Sequence, residues 1–385
     1  MTRPRADPAA AAPPAHGLPL AQRLEALLQR HWWRLTPSAL SQALRPLSWL
    51  YGALAWAHRA AYRHGWKQVQ RAPVPVVVVG NLIAGGAGKT PTVIALVQAL
   101  QAAGRRPGIV SRGYGRQGQA VQGVGPNSSA AEVGDEPLLM HRRTQVPVWV
   151  GRARASAARA LCAAHPKVDV LVCDDGLQHH ALARDAELWV FDDRGAGNGL
   201  LLPAGPLRER LPPSLPAGVR LLYTGQRPST PLPGPVATQH AAHALALADW
   251  WAGRLSARLP LAALRGRSLL ALAGIAAPEK FFAPLRAAGL SLRLLPQPDH
   301  ARYDTLPWAC GNSENAGLEV ITTEKDAVKL HPQRLAGARV WVVPLDLELP
   351  AALITQLLAN LPAAAPATSR PIHPTPPPDH HADEP

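Results

Sequence analysis

The stretch Val74–Thr90, VPVVVVGNLIAGGAGKT, constrains this chain most, because an apolar strand runs straight into a glycine loop ending in Lys-Thr. Val76, Val77, Val78 and Val79 are an unbroken β-branched run, the pattern of a parallel strand covered on both faces. Gly85, Gly86 and Gly88 let the backbone turn its N–H groups toward an anion, and Lys89 and Thr90 follow at the P-loop positions. Pro91 suits the first turn of a helix, and Val93, Ile94, Val97 and Leu100 continue at helical spacing. Strand, loop and helix therefore come in the order that sets phosphates on a helix N-terminus. The full pattern G-x-x-x-x-G-K-[ST] needs glycine where Ile83 stands, and Ala84 replaces the lysine common in the deviant subclass. An Ala/Gly-rich turn is the plain alternative. The register of all three parts favours a nucleoside triphosphate site over Ile83, Ala84, Gly85, Gly86, Ala87, Gly88, Lys89 and Thr90.

After the loop, strands and helices keep alternating. Arg106–Arg112, Val146–Val150, Val168–Cys173 and Glu187–Phe191 read as strands, with helical sequence over Arg154–Ala164. Such alternation means an α/β fold, a P-loop NTPase-type, mostly parallel sheet with helices on both faces. A Pro-, Gly- and Ser-rich stretch over 212–240 reads as a boundary. Beyond it, Ser268–Ala273, Ser291–Leu295, Leu318–Thr322 and Val340–Val343 predict a second, smaller α/β domain. The expected division is a tail at 1–19, a helical segment at 20–71, a P-loop domain at 72–212, a second domain at 213–350 and a tail at 362–385. Both tails are Ala/Pro-rich and read as disordered. Three cysteines without metal-ligand spacing suit a reducing compartment.

The formal charge of +14 points to acidic partners, and its distribution is uneven. Residues 1–71 hold ten Lys/Arg against Asp7 and Glu25, with five of the eleven tryptophans. An amphipathic Arg/Trp-rich helix lying in an anionic membrane interface fits that composition. The apolar run Pro46–Ala57 is twelve residues, short of the roughly 20 that span a bilayer. A helix packed on the protein's own core and a span lengthened by its flanks are the alternatives. No nucleic-acid motif accompanies the charge, so no nucleic acid partner is expected, and no obligate protein partner is implied.

Chemistry concentrates in a few short segments. The strand VDVLVC ends in Asp174-Asp175, where P-loop enzymes hold Mg²⁺ opposite the Thr90 hydroxyl, and His179 follows. Helix capping is the other use of acids at a strand end. Asp135 and Glu136 stand at a loop-to-helix junction, where an N-cap with an acidic first turn explains them equally well. Asp299-His300 lies in a loop after an apolar strand, and Arg208 could clamp a phosphate or pair with a surface carboxylate.

Taken together, GNLIAGGAGKTP, SRGYGR (111–116), GDEP (134–137), DDGLQHH (174–180), GNGLLLPAGPLRE (197–209), PDH (298–300) and TTEKDAVKL (322–330) resemble the tetraacyldisaccharide 4′-kinase family. The likeness runs in order from about residue 45 to about 345. That family's loop resembles VGGTGKTP, so Ile83 departs from the general pattern and not from the family's, while Leu177 stands where the family usually has Phe. The resemblance implies ATP and Mg²⁺ as cofactors and phosphorylation of the 4′-hydroxyl of a lipid A disaccharide 1-phosphate at the cytoplasmic face of a bacterial inner membrane. It further implies Lys89 on the β/γ-phosphates, Thr90 on Mg²⁺, and Asp174 or Asp175 completing the metal site with Glu136 and His179 near. Asp135 would be the general base, coupled to His300 across a closing cleft, and Arg208 would contact phosphate. Another deviant P-loop NTPase, a metallochaperone-type GTPase or an ATP-dependent ligase, is the competing enzyme class, but gives Asp299-His300 no role. A basic membrane- or nucleic-acid-binding protein with a degenerate nucleotide fold leaves the Lys-Thr pair unexplained.

Overall fold

The computed structural model describes residues 20–309 and 317–362; the expected tails at 1–19 and from 363 onward, and Cys310, lie outside them. The chain opens with α1 (Leu20–Trp32), α2 (Ala39–Ala43) and α3 (Arg45–Arg63). An α/β unit follows: β1 (Val76–Gly80), α4 (Lys89–Ala102), β2 (Pro107–Ser111), β3 (Gln122–Gly123), α5 (Ala130–Val133), α6 (Asp135–Thr144), β4 (Val148–Val150), α7 (Arg154–Ala164), β5 (Val170–Asp174), β6 (Ala186–Phe191) and β7 (Val219–Tyr223). Its sheet has the order β3-β4-β2-β5-β1-β6-β7 and is parallel except at β3. β1 is buried throughout because β5 and β6 flank it and helices cover both faces. Val77 and Val79 pack into a cluster with α4 and α6, whereas Val76 and Val78 pack into one with α7. The valine run thus meets the covering on both faces that it predicts.

The remaining elements are β8 (Thr238–His240), β9 (His243–Ala246), α8 (Leu247–Trp251), β10 (Leu259–Pro260), β11 (Ser268–Ala273), α9 (Glu279–Ala287), β12 (Ser291–Pro296), β13 (Glu319–Thr323), α10 (Glu324–Ala327), β14 (Arg339–Val343), β15 (Asp346–Glu348) and α11 (Ala351–Ala359). A second sheet runs β10-β9-β14-β13-β11-β12, parallel over β11 to β14 and antiparallel at β9 and β10; β8 and β15 form a separate ribbon. The expected boundary after residue 212 differs from what the sheets show. β7 falls inside the Pro-rich stretch yet completes the first sheet, because Leu221, Leu222 and Tyr223 are buried beside β6. At the far end α11, beyond residue 350, packs back on α4.

The two units share one core. A single apolar cluster takes Ile94, Val97, Leu138 and Met140 from the first and Trp250, Leu272, Leu330 and Leu353 from the second. Within it lies an ionic anchor. Arg143, in the last turn of α6, donates to Glu324 and, at 2.6 Å, to Asp346. Trp250 Nε1 donates to the other Glu324 oxygen at 2.9 Å, and the Leu345 N–H adds a bond at 3.2 Å. Burial pushes the Glu324 carboxyl above its usual range, against the opposing pull of Arg143.

The N-terminal helices take their hydrogen bonds to the α/β unit chiefly from residues 197–209, and His58 and Tyr62 of α3 also meet the His180 ring. Trp32 Nε1 donates to the Pro203 carbonyl at 2.8 Å, Ser48 Oγ to Leu201 at 2.8 Å, and Tyr51 Oη to Arg208 at 3.1 Å. The opposite arc of α3 exposes Leu47, Trp49, Leu50, Leu54 and Trp56. Among the described residues, no helix is long and apolar enough to cross a membrane.

Removing one partner of a buried ion pair leaves the other charge without compensation. Arg143→Ala is therefore expected to destabilise the protein by about 3–5 kcal/mol, read from the midpoint of urea unfolding. A loss well under 1 kcal/mol would show that the anchor is not buried in solution.

Candidate active site

The glycine loop leaves β1 at its carboxyl end and enters α4 at Lys89. Its first residues are structural. Ile83 is fully buried and bridges to Leu207, and the Ala84 N–H donates to the Pro206 carbonyl at 2.7 Å. The Ile83 side chain therefore serves the core and the Ala84 N–H is already engaged, so neither offers that group to a cofactor. Ala87 is buried too, its carbonyl accepting from Thr224 Oγ1 at 3.0 Å. Gly85 and Gly86 are exposed. Gly88 has φ 81°, and a Cβ there would meet Thr224 Oγ1 at 2.9 Å, so only glycine fits. Beyond Ala84, Gly85, Gly86, Gly88, Lys89 and Thr90 keep surface open to solvent.

Lys89 Nζ donates to Asn81 Oδ1 at 3.2 Å and lies 3.5 Å from Asp175. Asn81 in turn donates to the Gly85 carbonyl at 3.2 Å, tying the lysine to the loop. Arg208 pairs with Asp175 at 3.3 Å and donates to Gln178 at 3.2 Å. Burial opposes ionisation of Asp175, but Lys89 and Arg208 hold its carboxyl below the usual range. Its φ of 45° is a left-handed backbone that a non-glycine residue adopts only under constraint.

Asp174 behaves differently. It ends β5, is buried, accepts from Ser111 Oγ at 2.9 Å, and leaves Oδ1 without a partner. Burial first, then the nearby Glu136 and Asp175 carboxylates, push its carboxyl up to about 7. A buried carboxylate oxygen without a donor, crowded by other acids, is a site that a hard cation would relieve. Among the described residues no three His, Cys, Asp or Glu side chains form a metal cage. The residues fit an ion that draws most of its oxygens from phosphate, water and a hydroxyl such as Thr90, the habit of Mg²⁺. His179 is half-buried, and this burial with Arg154, Arg184 and Arg112 drives its ring down to about 4. It is neutral at pH 7, and its buried Nε2 has no hydrogen-bond partner.

Asp135 opens α6 behind Gly134, whose φ of 95° sets the entry of the helix. From the second unit, His300 Nδ1 approaches Asp135 Oδ2 to 3.3 Å, and Lys329 Nζ lies 3.8 Å from the same oxygen. Lys325 Nζ reaches His300 Nε2 at 3.2 Å and Asp299 at 2.7 Å, while the Tyr114 ring packs at 5.4 Å from the imidazole. The pair is thus assembled over a shared core and a buried anchor. Closure of the cleft, expected to complete the base, would have to work around that core and the anchor at Arg143. Sequence reading missed Asn81, Gln178, Lys325 and Lys329 as members of the site. Both lysines lie in TTEKDAVKL, which the sequence offers only as part of the family resemblance, with no role for either side chain.

A phosphate loop facing buried acids, with an Asp-His contact from a second domain, defines a P-loop phosphotransferase. A family model described as tetraacyldisaccharide-1-P 4′-kinase matches residues 40–362. Tetraacyldisaccharide 4′-kinase of Leptothrix cholodnii is 53% identical over 90% of this chain and 99% of its own, and that of Herminiimonas arsenicoxydans 44% over 88% and 96%. A crystal structure of LpxK from Aquifex aeolicus in complex with ATP is similar at a TM-score of 0.69 and 27% identity, covering 84% of this chain and 99% of that one. The chain belongs to the tetraacyldisaccharide 4′-kinase family.

Between about pH 4 and 7 the folded protein keeps a proton on Asp174 that the unfolded chain has released. The Asp174 contribution to the stability of the metal-free protein should therefore fall as pH rises through that window and stay lower above it, while His179 and His180, both held near 4, contribute with the opposite sign, so the comparison with Asp174→Asn isolates the carboxyl. Asp174→Asn removes the penalty, so in EDTA above pH 7 it should melt a few degrees higher than wild type while losing Mg²⁺-dependent turnover. Identical melting profiles would contradict the buried, unpartnered carboxyl.

Proposed function

We propose that this chain transfers the γ-phosphoryl group of ATP to the 4′-hydroxyl of tetraacyldisaccharide 1-phosphate, giving lipid IVA in lipid A biosynthesis. Family membership supports the reaction, and the Asp135–His300 contact carries the assignment of roles. A sugar hydroxyl is a weak nucleophile, and a positioned carboxylate that takes its proton as the new bond forms meets that need. Asp135 Oδ2 is occupied by His300, which leaves Oδ1 for the substrate hydroxyl. Lys89 would exchange Asp175 for the β/γ-phosphate oxygens, and Arg208, held by Gln178, would contact phosphate from the other side. A magnesium ion held by Thr90 and Asp174, with Asp175 and Glu136 close by, would neutralise phosphate charge. A neutral His179 is not a phosphate-binding cation.

The exposed arc of α3, with Trp49 at 60% and Trp56 at 66% exposure, supports an interfacial helix on the anionic cytoplasmic face of the inner membrane. A multi-acyl substrate stays in the bilayer, so an enzyme acting on it has to work at that surface.

Incubation of purified protein with labelled ATP, Mg²⁺ and the disaccharide 1-phosphate should yield a doubly phosphorylated lipid; none from folded protein in detergent would sink the reading. Asp135→Asn should cut kcat by about 10²–10⁴-fold with ATP affinity kept, and unchanged turnover would remove Asp135 as base. Replacing Trp49, Leu50, Leu54 and Trp56 together by serine should release the protein from anionic vesicles while activity on detergent-dispersed substrate persists. Undiminished sedimentation would place the anchor elsewhere.

A further inference from the structure

His300 can hold Asp135 in two different ways. If Nδ1 carries the hydrogen, it donates to Asp135 and the imidazole only orients the base. If Nδ1 is bare, a proton taken by Asp135 could pass on to the ring. Which of these holds depends on what faces Nε2, because a neutral imidazole carries one N–H.

The group facing Nε2 is Lys325, at 3.2 Å. An ammonium only donates, so Nε2 has to accept, and the hydrogen sits on Nδ1, aimed at Asp135 Oδ2 3.3 Å away. The placement of Lys325 is itself determined. Asp299 accepts from Lys325 Nζ at 2.7 Å and from the His300 N–H at 3.0 Å, and so holds both partners at once. His300 has φ 57°, a left-handed backbone uncommon outside glycine. One residue before Lys325, Glu324 is fastened by Arg143 and Trp250, so α10 presents the lysine from the interdomain anchor. Among the described residues, Glu136, at 4.0 Å, is a further charged neighbour of Lys325.

We infer that Lys325 is a positioning residue that fixes the Nδ1–H tautomer of His300, so that His300 orients Asp135 and does not relay its proton. The proton from the substrate hydroxyl then stays on Asp135 Oδ1 until it leaves to solvent. This rests on the reading of Asp135 as the base. The tautomer itself is measured without any turnover, so the two can fail separately.

The test uses the full chain labelled with ¹⁵N-histidine, the His300 signals being identified by their loss in His300→Gln. Wild type should show an unprotonated, acceptor-type Nε2 and a protonated Nδ1. Lys325→Met should abolish that pattern, and Lys325→Arg should restore it. In kinetics, Lys325→Met should lower kcat by about 10- to 100-fold, the scale of losing a supporting hydrogen bond behind a functional group, with KM for ATP and for lipid unchanged. In a His300→Ala background the same substitution should cost nothing further, because Lys325 acts through His300. A protonated Nε2 in wild type, or an Nδ1–H pattern that survives Lys325→Met, overturns the inference. So does an equal loss in the His300→Ala background, or a rise in KM, since either would put Lys325 on the substrate's phosphate. Unimpaired Asp135→Asn beside the expected tautomer would overturn the base and leave the positioning contact standing.

Discussion

The guanidinium of Arg143 is the point on which the two halves of this molecule meet. It sits at the C-terminal end of α6, buried, and joins Glu324 at the start of α10 to Asp346 of β15. The same helix begins at Asp135, and the residue after Glu324 is Lys325. One ion pair therefore sets the distance between the carboxylate on one domain and the imidazole and ammonium groups on the other. Buried charges are costly to separate, and this one is surrounded by the apolar cluster that both domains fill. The Asp135–His300 contact is built on the same helix and the same second unit as that interior contact.

A second dependence runs through the segment 197–209. It receives the N-terminal helices through Trp32, Ser48 and Tyr51, fastens the start of the phosphate loop through Pro206 and Leu207, and ends at Arg208 on Asp175. The helix with the exposed apolar arc and the glycine loop are thus both fastened to one piece of backbone. Arg194 adds a further link, stacking on Trp33 at 4.3 Å while donating to the Gly86 carbonyl.

Much of the fold was legible because the strands carrying it are apolar runs with clear ends. Val76–Val79 and Val170–Cys173 are covered on both faces and contain no competing turn residues. β7 was not legible, since its five residues lie within Pro- and Gly-rich sequence and only pairing with β6 makes them a strand. The site divides in the same way. Lys89, Asp174, Asp175 and Asp135 stand at strand or helix ends, where local pattern announces them. Ile83 fits the loop's spacing, but its role follows from burial against Leu207, which no local pattern records. Lys325 and Lys329 look like solvated charges in a helical turn, and become part of the site only because α10 packs on α6. The anchor at Arg143 has no local sign at all, because its partners lie far along the chain.

A hinged enzyme and one with a shared core differ in a quantity that can be measured directly. Spin labels on Lys167→Cys and Arg293→Cys, exposed positions in the first and second units, would report the interdomain distance in a chain lacking Cys162 and Cys310. With the core and Arg143 anchor intact, the distance distribution should be single and narrow, and unchanged by a non-hydrolysable ATP analogue with Mg²⁺ and lipid. A broad or two-peaked distribution that narrows only when both ligands are added would contradict a preassembled Asp135–His300 pair.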